Sequence, residues 1–493
     1  MSSATTRDRV PLHVKFAFGF AEFGLSLSAN FLIFYLLIFL NTVAGLPGKL
    51  AGMVLLVGKI VDAVTDPMVG SISDGWKSKW GRRLPFMAVG APLLALAFLA
   101  QMTVPELSVW FKFGFYVFIG VASQTLYSMV TIPYTSLTAE LTQDYEERTS
   151  LNGFRQVFSL FGAIAALLVA IAVFKLTPVD QPKLQYLVMG LVGGGIIAIS
   201  LTISVLGIKN YVLGREKFRL SNAEAMRAHN AVEDLTYLQQ IKVVFSNRPF
   251  VILCLLYLFA WMGVQVTSTV LIYYLQYWMK MSAGNAPMVI LAVTGTAMLM
   301  LAPWSLVSHK LGKKWTFVAG AAIWFVAQII LVGVQPGQMG LLITAAVLAG
   351  FGVSVCYLVP WAMLPDVIEL DELETGQRRE GIFYGYIVFL QKIAVAIAIF
   401  AVGFILDAQG FKEKAADGVS KVMEQPDSAL FALRMLVGPL PMIFLILAVI
   451  AAIAFPITKK GHEATLAELK RRRGEHPPDE GVISPPEQNE LIP

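Results

Sequence analysis

The feature that most constrains the fold is a series of apolar runs, each of about twenty residues, that recurs along the whole 493-residue chain. Runs of this length can cross the hydrocarbon core of a bilayer as helices. Charged residues make up only 14% of the chain, whereas soluble domains carry roughly 25%. The pattern therefore predicts an all-α integral membrane protein with many spans, and not a set of soluble domains.

Twelve runs qualify as transmembrane helices. Their bounds are 14–40, 50–73, 84–103, 110–139, 152–175, 184–208, 248–279, 286–308, 315–334, 340–365, 381–406 and 430–456. The longest polar stretch between spans separates the first six from the last six. The predicted parts are an N-terminal half (1–208), a cytoplasmic middle loop (209–247), a C-terminal half (248–456) and a cytoplasmic tail (457–493), largely disordered after a short helix.

The distribution of Lys and Arg predicts the orientation. An even number of spans leaves both termini on one side, and the loops on that side hold most of the basic residues. Both termini are therefore predicted to be cytoplasmic, in a plasma (inner) membrane, where these loops can meet anionic lipid. The net charge of +5 does not indicate nucleic-acid binding, because the basic residues lie in loops between spans.

The two halves repeat a short motif. "KWGRRLPF" (79–86) follows the second span and "KLGKKWTF" (310–317) follows the eighth, and both read Lys-x-Gly-basic-basic-x-x-Phe. Two parallel six-span halves related by an axis along the membrane normal define the major facilitator fold, whose solute site lies near the bilayer midplane. The repeat therefore predicts that fold.

The second span contains an unusual group of polar residues, in "KIVDAVTDPMVGSI". Asp62 and Asp66 share one helix face, and a charge near the bilayer centre costs about 2.5–3.5 kcal/mol. The pair therefore requires a proton, a basic partner or a metal ion. Thr65 adds a hydroxyl, Pro67 frees a backbone carbonyl, and Lys59 lies one turn before Asp62 and can pair with it. A purely structural ion pair is the alternative role.

Three further ionisable residues lie within spans. Glu22 is in the first span, Arg155 is near the start of the fifth, and Lys392 is an isolated cation in the eleventh. Lys392 needs a counter-charge, for which Asp62 and Asp66 are the candidates. Two aspartates and one lysine leave one negative charge, which Na⁺ or H⁺ neutralises. Neutralisation would lower the cost of passing through a closed, dry intermediate.

The chain resembles the glycoside–pentoside–hexuronide:cation symporters. The resemblance rests on "KIVDAVTDPMVGSISDGWKSKWGRRLPF", "KFAFGFAEFG", "YSMVTIPYTSL" and "MLPDVIELDE" and covers nearly all spans. It implies a major facilitator fold and solute uptake coupled to Na⁺, Li⁺ or H⁺, with no other cofactor. It also implies that Asp62 and Asp66 bind the cation, that Ser128 is a hydroxyl ligand, and that Lys392 links the cation and sugar sites.

The chain departs from the galactoside binders of that family, which hold sugar hydroxyls with one aspartate in the first span and one in the fourth. Ser26 and Thr131 occupy those positions here, so a galactoside is not the expected solute. Arg155 matches an arginine near the family's sugar pocket. The other residues proposed to line a solute site are Glu22, Tyr357 and Trp361. Helix packing is the alternative role for these three.

Three functions remain to be compared. The first is cation-coupled symport of a small solute, a sugar or glycoside. The second is symport of a lysophospholipid or other amphiphile, because animal sodium-dependent lysophospholipid transporters resemble the same family and also lack the paired sugar acids. The third is a membrane enzyme or a scaffold, and the sequence has no G-x-S-x-G, H-E-x-x-H, C-x-x-C or phosphate-loop motif to support an enzyme. The residues leave open the choice between Na⁺ and H⁺, and the oligomeric state.

Overall fold

The computed structural model describes residues 9–76, 78–142, 145–221, 242, 244–376, 379–412 and 424–472. Most of the predicted middle loop and the tail beyond residue 472 lie outside the described residues. The helices are α1 (Leu12–Phe31), α2 (Gly48–Gly75), α3 (Leu84–Gln101), α4 (Val109–Leu141), α5 (Tyr145–Leu176), α6 (Pro182–Ser221), α7 (Arg248–Tyr273), α8 (Ala286–Leu311), α9 (Lys313–Gly333), α10 (Met339–Thr375), α11 (Glu380–Ala408), α12 (Asp427–Val437), α13 (Pro439–Ala454) and α14 (Lys459–Arg472).

The predicted all-α membrane fold is confirmed. Eleven segments of the described chain are long and apolar enough to cross a membrane. Helix α2 is not one of the eleven, although it is 28 residues long, and its apolar stretch contains Lys59, Asp62 and Asp66. Including α2 gives the twelve spans that the sequence predicts. The helix that is not among the eleven is therefore the one that contains the paired carboxylates.

Several helices differ in detail from the predicted spans. Helix α1 continues through two π-helical turns, Leu32–Leu36 and Phe39–Val43. Helix α6 extends beyond the predicted span to Ser221. The twelfth span is broken into α12 and α13 at Gly438, which precedes Pro439 at the first position of α13. A proline there cannot donate the backbone hydrogen bond that would continue α12.

The chain divides into two compact units. The first comprises Met1–Val232, Ser268–Leu291 and Ile399–Leu433, and the second comprises Glu233–Thr267, Ala292–Ala398 and Arg434–Pro493. In the first unit α1 packs against α5 and α6, α2 packs against α4, and α3 packs against α4 and α6. In the second unit α9 packs against α10 and α13, and α10 contacts α14.

The core of the second unit is apolar and aromatic. Trp324 and Phe317 of α9 are fully buried, with Val355 and Met363 of α10 beside them. Gly352 of α10 allows a close approach of α9, because a Cβ atom built there would lie 2.5 Å from the backbone nitrogen of Trp324. Because lipid tails are as apolar as these side chains, close van der Waals packing holds this core together.

The glycine of the motif repeated in the two halves has the same backbone conformation in each unit. Gly81 has a φ of 83° and Gly312 has a φ of 80°, a left-handed region that glycine adopts without steric cost. In both cases the glycine turns the chain between two spans, and the next basic residues reach a carboxylate one span further on. Arg82 pairs with Glu140 of α4, and Lys313 pairs with Asp366 of α10.

Candidate functional site

The carboxylate of Asp62 lies buried between α2 and α4 of the first unit. Asp62 is only 3% exposed, and its Oδ1 accepts a hydrogen bond of 2.9 Å from the hydroxyl of Ser128. Ser128 is itself 1% exposed. Two residues that are separated by 66 positions in the sequence therefore present oxygen atoms side by side.

The other predicted cation-site residues surround this pair on α2. Lys59 Nζ lies 3.8 Å from Asp62 Oδ2, so the pairing expected one turn before Asp62 is present. Thr65 Oγ1 donates to the backbone carbonyl of Asp62 at 3.3 Å, which leaves the lone pairs of that hydroxyl as acceptors. Asp66 is half-buried one turn further along. Within α2, Lys59 therefore pairs with Asp62, one turn before Asp66.

This donor set fits a small hard cation. Carboxylate, hydroxyl and backbone carbonyl oxygens are the ligand types that hard cations accept. Asp62, Asp66 and Ser128 supply three such side chains, and Lys59 balances one of the two negative charges. A single Na⁺ or H⁺ would leave the α2 group neutral. The charge count therefore suits a monovalent ion better than a divalent one.

A second polar group crosses the first unit from α1 to α5. Glu22 Oε2 lies 3.3 Å from both Nε and Nη2 of Arg155, and the guanidinium of Arg155 lies 5.0 Å from the ring centroid of Tyr134 in α4. Tyr134 donates its hydroxyl proton to the carbonyl of Phe18 at 2.9 Å. Three helices thus hold one ion pair in place, and the cation–π contact fixes the plane of the guanidinium.

We expect Glu22→Ala to destabilise the protein, because it leaves the guanidinium of Arg155 without its carboxylate inside a membrane span. The loss should be up to about 3 kcal/mol, measurable as a lower midpoint of thermal unfolding in detergent. Glu106→Ala is the matched control, because its carboxylate is 91% exposed and lies 3.9 Å from Lys183. That change should stay within about 0.5 kcal/mol. Equal midpoints for the two variants would contradict the structural importance of the Glu22–Arg155 pair.

Ser26 and Thr131 occupy the positions of the missing sugar acids. Ser26 is buried, and its hydroxyl donates to the carbonyl of Ser159 at 2.6 Å. It also lies 3.3 Å from the amide nitrogen of Asn30. Thr131 is half-buried in α4, three residues after Ser128. The hydroxyl of Ser26 thus links α1 to α5.

The second unit contains an aromatic cluster that includes both predicted stacking residues. The ring of Trp261 lies 5.2 Å from that of Tyr357, and Trp361 lies 5.8 Å from Tyr257 and 6.1 Å from Tyr384. Tyr357 and Tyr384 are 41% and 37% exposed. Three helices, α7, α10 and α11, contribute to this cluster. Partly exposed rings of this kind can stack on the apolar face of a solute.

Lys392, the predicted coupling residue, is half-buried in α11 of the second unit. The residues that sequence reasoning missed are Tyr134, Tyr257, Trp261 and Tyr384. Tyr134 lies within the "YSMVTIPYTSL" motif, and its place in that motif is a signal that could have identified it as a candidate site residue. The other three carry no local signal, because an aromatic residue in a span is as common in packing as in binding.

Comparison with known proteins assigns the chain to a transporter family. The family model described as MFS/sugar transport protein matches residues 17–459. An uncharacterized symporter, sll1374, of Synechocystis sp. is 38% identical, over 96% of this chain and 99% of that protein. An isoprimeverose transporter of Lactiplantibacillus pentosus is 25% identical, over 96% and 94%. A sodium-dependent lysophosphatidylcholine symporter 1 of Xenopus tropicalis is 27% identical, over 90% and 87%.

Solved structures agree on the fold. The xylose transporter XylE from E. coli, in its inward open conformation, aligns with a TM-score of 0.60 at 16% identity, over 93% of this chain and 99% of that one. Such low identity supports the fold alone. The family match covers most of the chain, and the relatives are symporters and transporters. The chain therefore belongs to the MFS/sugar transport protein family, the major facilitator group of the glycoside–pentoside–hexuronide:cation symporters.

Proposed function

We propose that this protein is a cation-coupled symporter that moves a sugar or glycoside by alternating access, with Asp62 and Asp66 as the cation site. The observation that supports this most strongly is the buried Asp62 carboxylate beside the Ser128 hydroxyl, at 2.9 Å. A carboxylate that is 3% exposed within a membrane span is costly, and a bound cation would offset that cost. The symporter relatives favour the same assignment.

The coupling step follows from the charges on the proposed site. With both aspartates ionised and Lys59 protonated, the α2 group carries one negative charge, which resists enclosure in a dry intermediate. Binding of Na⁺, Li⁺ or H⁺ removes that charge. In this proposal Lys392 of α11 responds to the same change and links the cation site to the solute site, while no other cofactor takes part. Glu22, Arg155, Ser26, Thr131, Tyr357 and Trp361 are the proposed solute-site residues.

The proposed location is the plasma (inner) membrane, with both termini in the cytoplasm. The support is the concentration of Lys and Arg in the loops on the terminal side. The repeated loop after the second span, with Lys79, Arg82 and Arg83, lies on that side, as does the loop with Lys310, Lys313 and Lys314. The solute would then be taken up from the outside along the cation gradient.

A second candidate solute is a lysophospholipid or another amphiphile. The specific observation in its favour is the 27% identity to a sodium-dependent lysophosphatidylcholine symporter over 90% of this chain. The absence of both sugar-binding aspartates, replaced by Ser26 and Thr131, is compatible with it. The isoprimeverose transporter and the family description favour a sugar. An enzymatic or scaffold function has no comparable support.

Competition for uptake separates the two solute classes. The purified protein, reconstituted in proteoliposomes with an inward Na⁺ or H⁺ gradient, is tested with radiolabelled pentosides, glycosides and uronides and with lysophosphatidylcholine. The proposal expects accumulation of a soluble glycoside that unlabelled lysophosphatidylcholine does not inhibit at submicellar concentration. Accumulation of the lysolipid alone would overturn the sugar assignment but would leave the cation site intact.

Ser128→Ala should weaken cation activation of uptake, because it removes the hydroxyl that contacts Asp62. One lost ligand to a charged group is worth about 1.5 kcal/mol, or roughly tenfold in the cation concentration for half-maximal uptake. Ser123→Ala is the matched control, since Ser123 is also buried in α4, at 3% exposure. A similar shift in both variants, or none in Ser128→Ala, would remove Ser128 from the proposed cation site.

A further inference from the structure

The C-terminal helix α14 is attached to the second unit along one face. Thr465 and Leu469 on that face are buried, at 3% and 5% exposure. Near its end, Arg472 Nη1 donates to the carbonyl of Leu373 in α10 at 2.8 Å. At its start, Lys459 Nζ donates to the carbonyl of His309 in α8 at 2.9 Å. The helix therefore has a defined docked position.

His462 of α14 contacts two carboxylates of α10. Its Nε2 lies 2.6 Å from Glu369 Oε2 and 3.2 Å from Asp366 Oδ1. Asp366 is 5% exposed, and its Oδ1 also lies 2.5 Å from Lys313 Nζ of α9. One imidazole thus faces two carboxylates, of which one is already paired with an ammonium group.

The first unit has an equivalent carboxylate with a different set of partners. Glu140 at the end of α4 is paired with Arg82 and lies 3.4 Å from Arg83 Nε. Both guanidinium groups stay charged at every physiological pH. In the second unit Lys313 takes the place of Arg82, and the second cation comes from α14. Both cations beside Glu140 in the first unit are therefore permanently charged. In the second unit, one of the two groups beside Asp366 is the imidazole of His462, which can lose its charge.

The charges around His462 favour a proton on the imidazole. With the imidazole neutral, Asp366, Glu369 and Lys313 leave one negative charge that no cation in the cluster balances. One proton balances it, whereas a divalent metal ion would overcompensate it. An adjoining cavity of about 410 Å³ opens beside the cluster. The other titratable side chains that line it are His309, Lys314, Lys459 and Glu463.

We propose that α14 is a pH-sensitive clasp, in which protonated His462 holds the C-terminal helix on α10 and loss of that proton as pH rises releases it. Through His462, the docking of α14 would respond to the proton concentration on the side of the membrane where α14 lies. The parts that respond are the ends of α9 and α10, because Lys313 and Asp366 belong to the same cluster.

The direction of the pH response follows from the environment of His462. Its hydrogen bond to Glu369 raises the pKa of the imidazole above the ordinary value, and the charge of Asp366 adds to that rise. Burial and the ammonium group of Lys313 oppose it, and the net direction is upward. A group whose pKa is raised in the docked state stabilises docking fully below its ordinary pKa. That contribution is lost as the pH rises through the raised pKa. Docking is therefore tighter below the ordinary pKa of histidine and weaker above the raised pKa.

Hydrogen–deuterium exchange of the full-length protein in lipid nanodiscs tests the clasp. Protection factors of the α14 amides, corrected for intrinsic exchange, are compared at about pH 6 and about pH 8.5, a range that brackets histidine titration. We expect α14 to lose about tenfold or more in protection at the higher pH, the size of one charge-assisted hydrogen bond. The internal control is the loop that contains Arg82 and the end of α4 that contains Glu140. The protection factors of the amides there should be the same at both pH values.

Two substitutions distinguish charge from packing. His462→Gln should give low protection of α14 at both pH values, and His462→Lys should give high protection at both, because a lysine stays charged across the range. His309→Gln should leave the wild-type response in place. Together, the three variants show whether a change in the protection of α14 comes from titration of the His462 imidazole or from a general loss of helix packing.

Three results would overturn the clasp. The first is equal protection of wild-type α14 at the two pH values. The second is a pH response that survives in His462→Gln. The third is restoration of protection at the higher pH by Zn²⁺ and its loss with a chelator, which would assign the cluster to a metal ion. None of these readouts depends on transport, so the outcome is independent of the proposed symport.

Discussion

Asp62→Asn should abolish cation-coupled uptake while leaving the protein folded. The amide keeps the shape of the side chain and can still accept from the Ser128 hydroxyl at a similar distance, but it removes the negative charge that a cation would balance. With the carboxylate gone, Lys59 loses the negative charge that lies 3.8 Å from its Nζ. We expect uptake driven by an ion gradient to fall by at least about a hundredfold, the equivalent of roughly 3 kcal/mol. Initial rates in proteoliposomes measure it.

Asp180→Asn is the matched control for that experiment. Asp180 is exposed in the loop before α6, outside the spans, so its conversion to an amide should change the uptake rate little. Thermal unfolding of both variants in detergent checks that they are folded. Cation-driven uptake at the wild-type rate in Asp62→Asn would remove Asp62 from the coupling mechanism.

Gly352→Ala should have the largest effect on folding. At this position α9 and α10 cross so closely that an added Cβ would lie 2.5 Å from the Trp324 backbone nitrogen and 2.7 Å from the Gly320 carbonyl oxygen. Backbone atoms cannot rotate away as a side chain can, so the two helices must separate. Overpacking of this kind costs about 1–3 kcal/mol or more. We expect a lower yield of monodisperse protein and a lower unfolding midpoint.

Gly340→Ala provides the comparison within the same helix. A Cβ at Gly340 would meet nothing within 4 Å, and alanine favours a helix over glycine by about 1 kcal/mol. This variant should therefore match or slightly exceed the wild type in thermal stability. If Gly352→Ala proves as stable as Gly340→Ala, the close crossing of α9 and α10 is not present in the protein.

Most of the fold could be predicted from the sequence, because the bilayer requires long apolar helices and those are visible as local runs. Helix α2 is the instructive case. Its Lys59, Asp62 and Asp66 lower its apolar character, yet the chain needs it as a span to preserve the repeated loop at equivalent places in the two halves. The same charges that obscure the span mark it as the candidate site.

The partners of the site residues were less accessible from the sequence. Lys59 and Asp62 lie within one helix, so helical spacing was enough to predict that they pair. Glu22 and Arg155 are separated by 133 positions, and the sequence gives no rule for which distant residues meet across helices. The attachment of His462 to Glu369, across 93 positions, is of the same kind.

The measurement that tests the central claim most directly is equilibrium binding of the coupling cation. Tryptophan fluorescence of the purified protein, which has nine tryptophans, is titrated with NaCl against choline chloride at fixed pH, and separately with protons in choline chloride. We expect a saturable response to Na⁺ or to protons that is present in Asp180→Asn and absent in Asp62→Asn. A saturable response that persists unchanged in Asp62→Asn would show that the cation binds elsewhere.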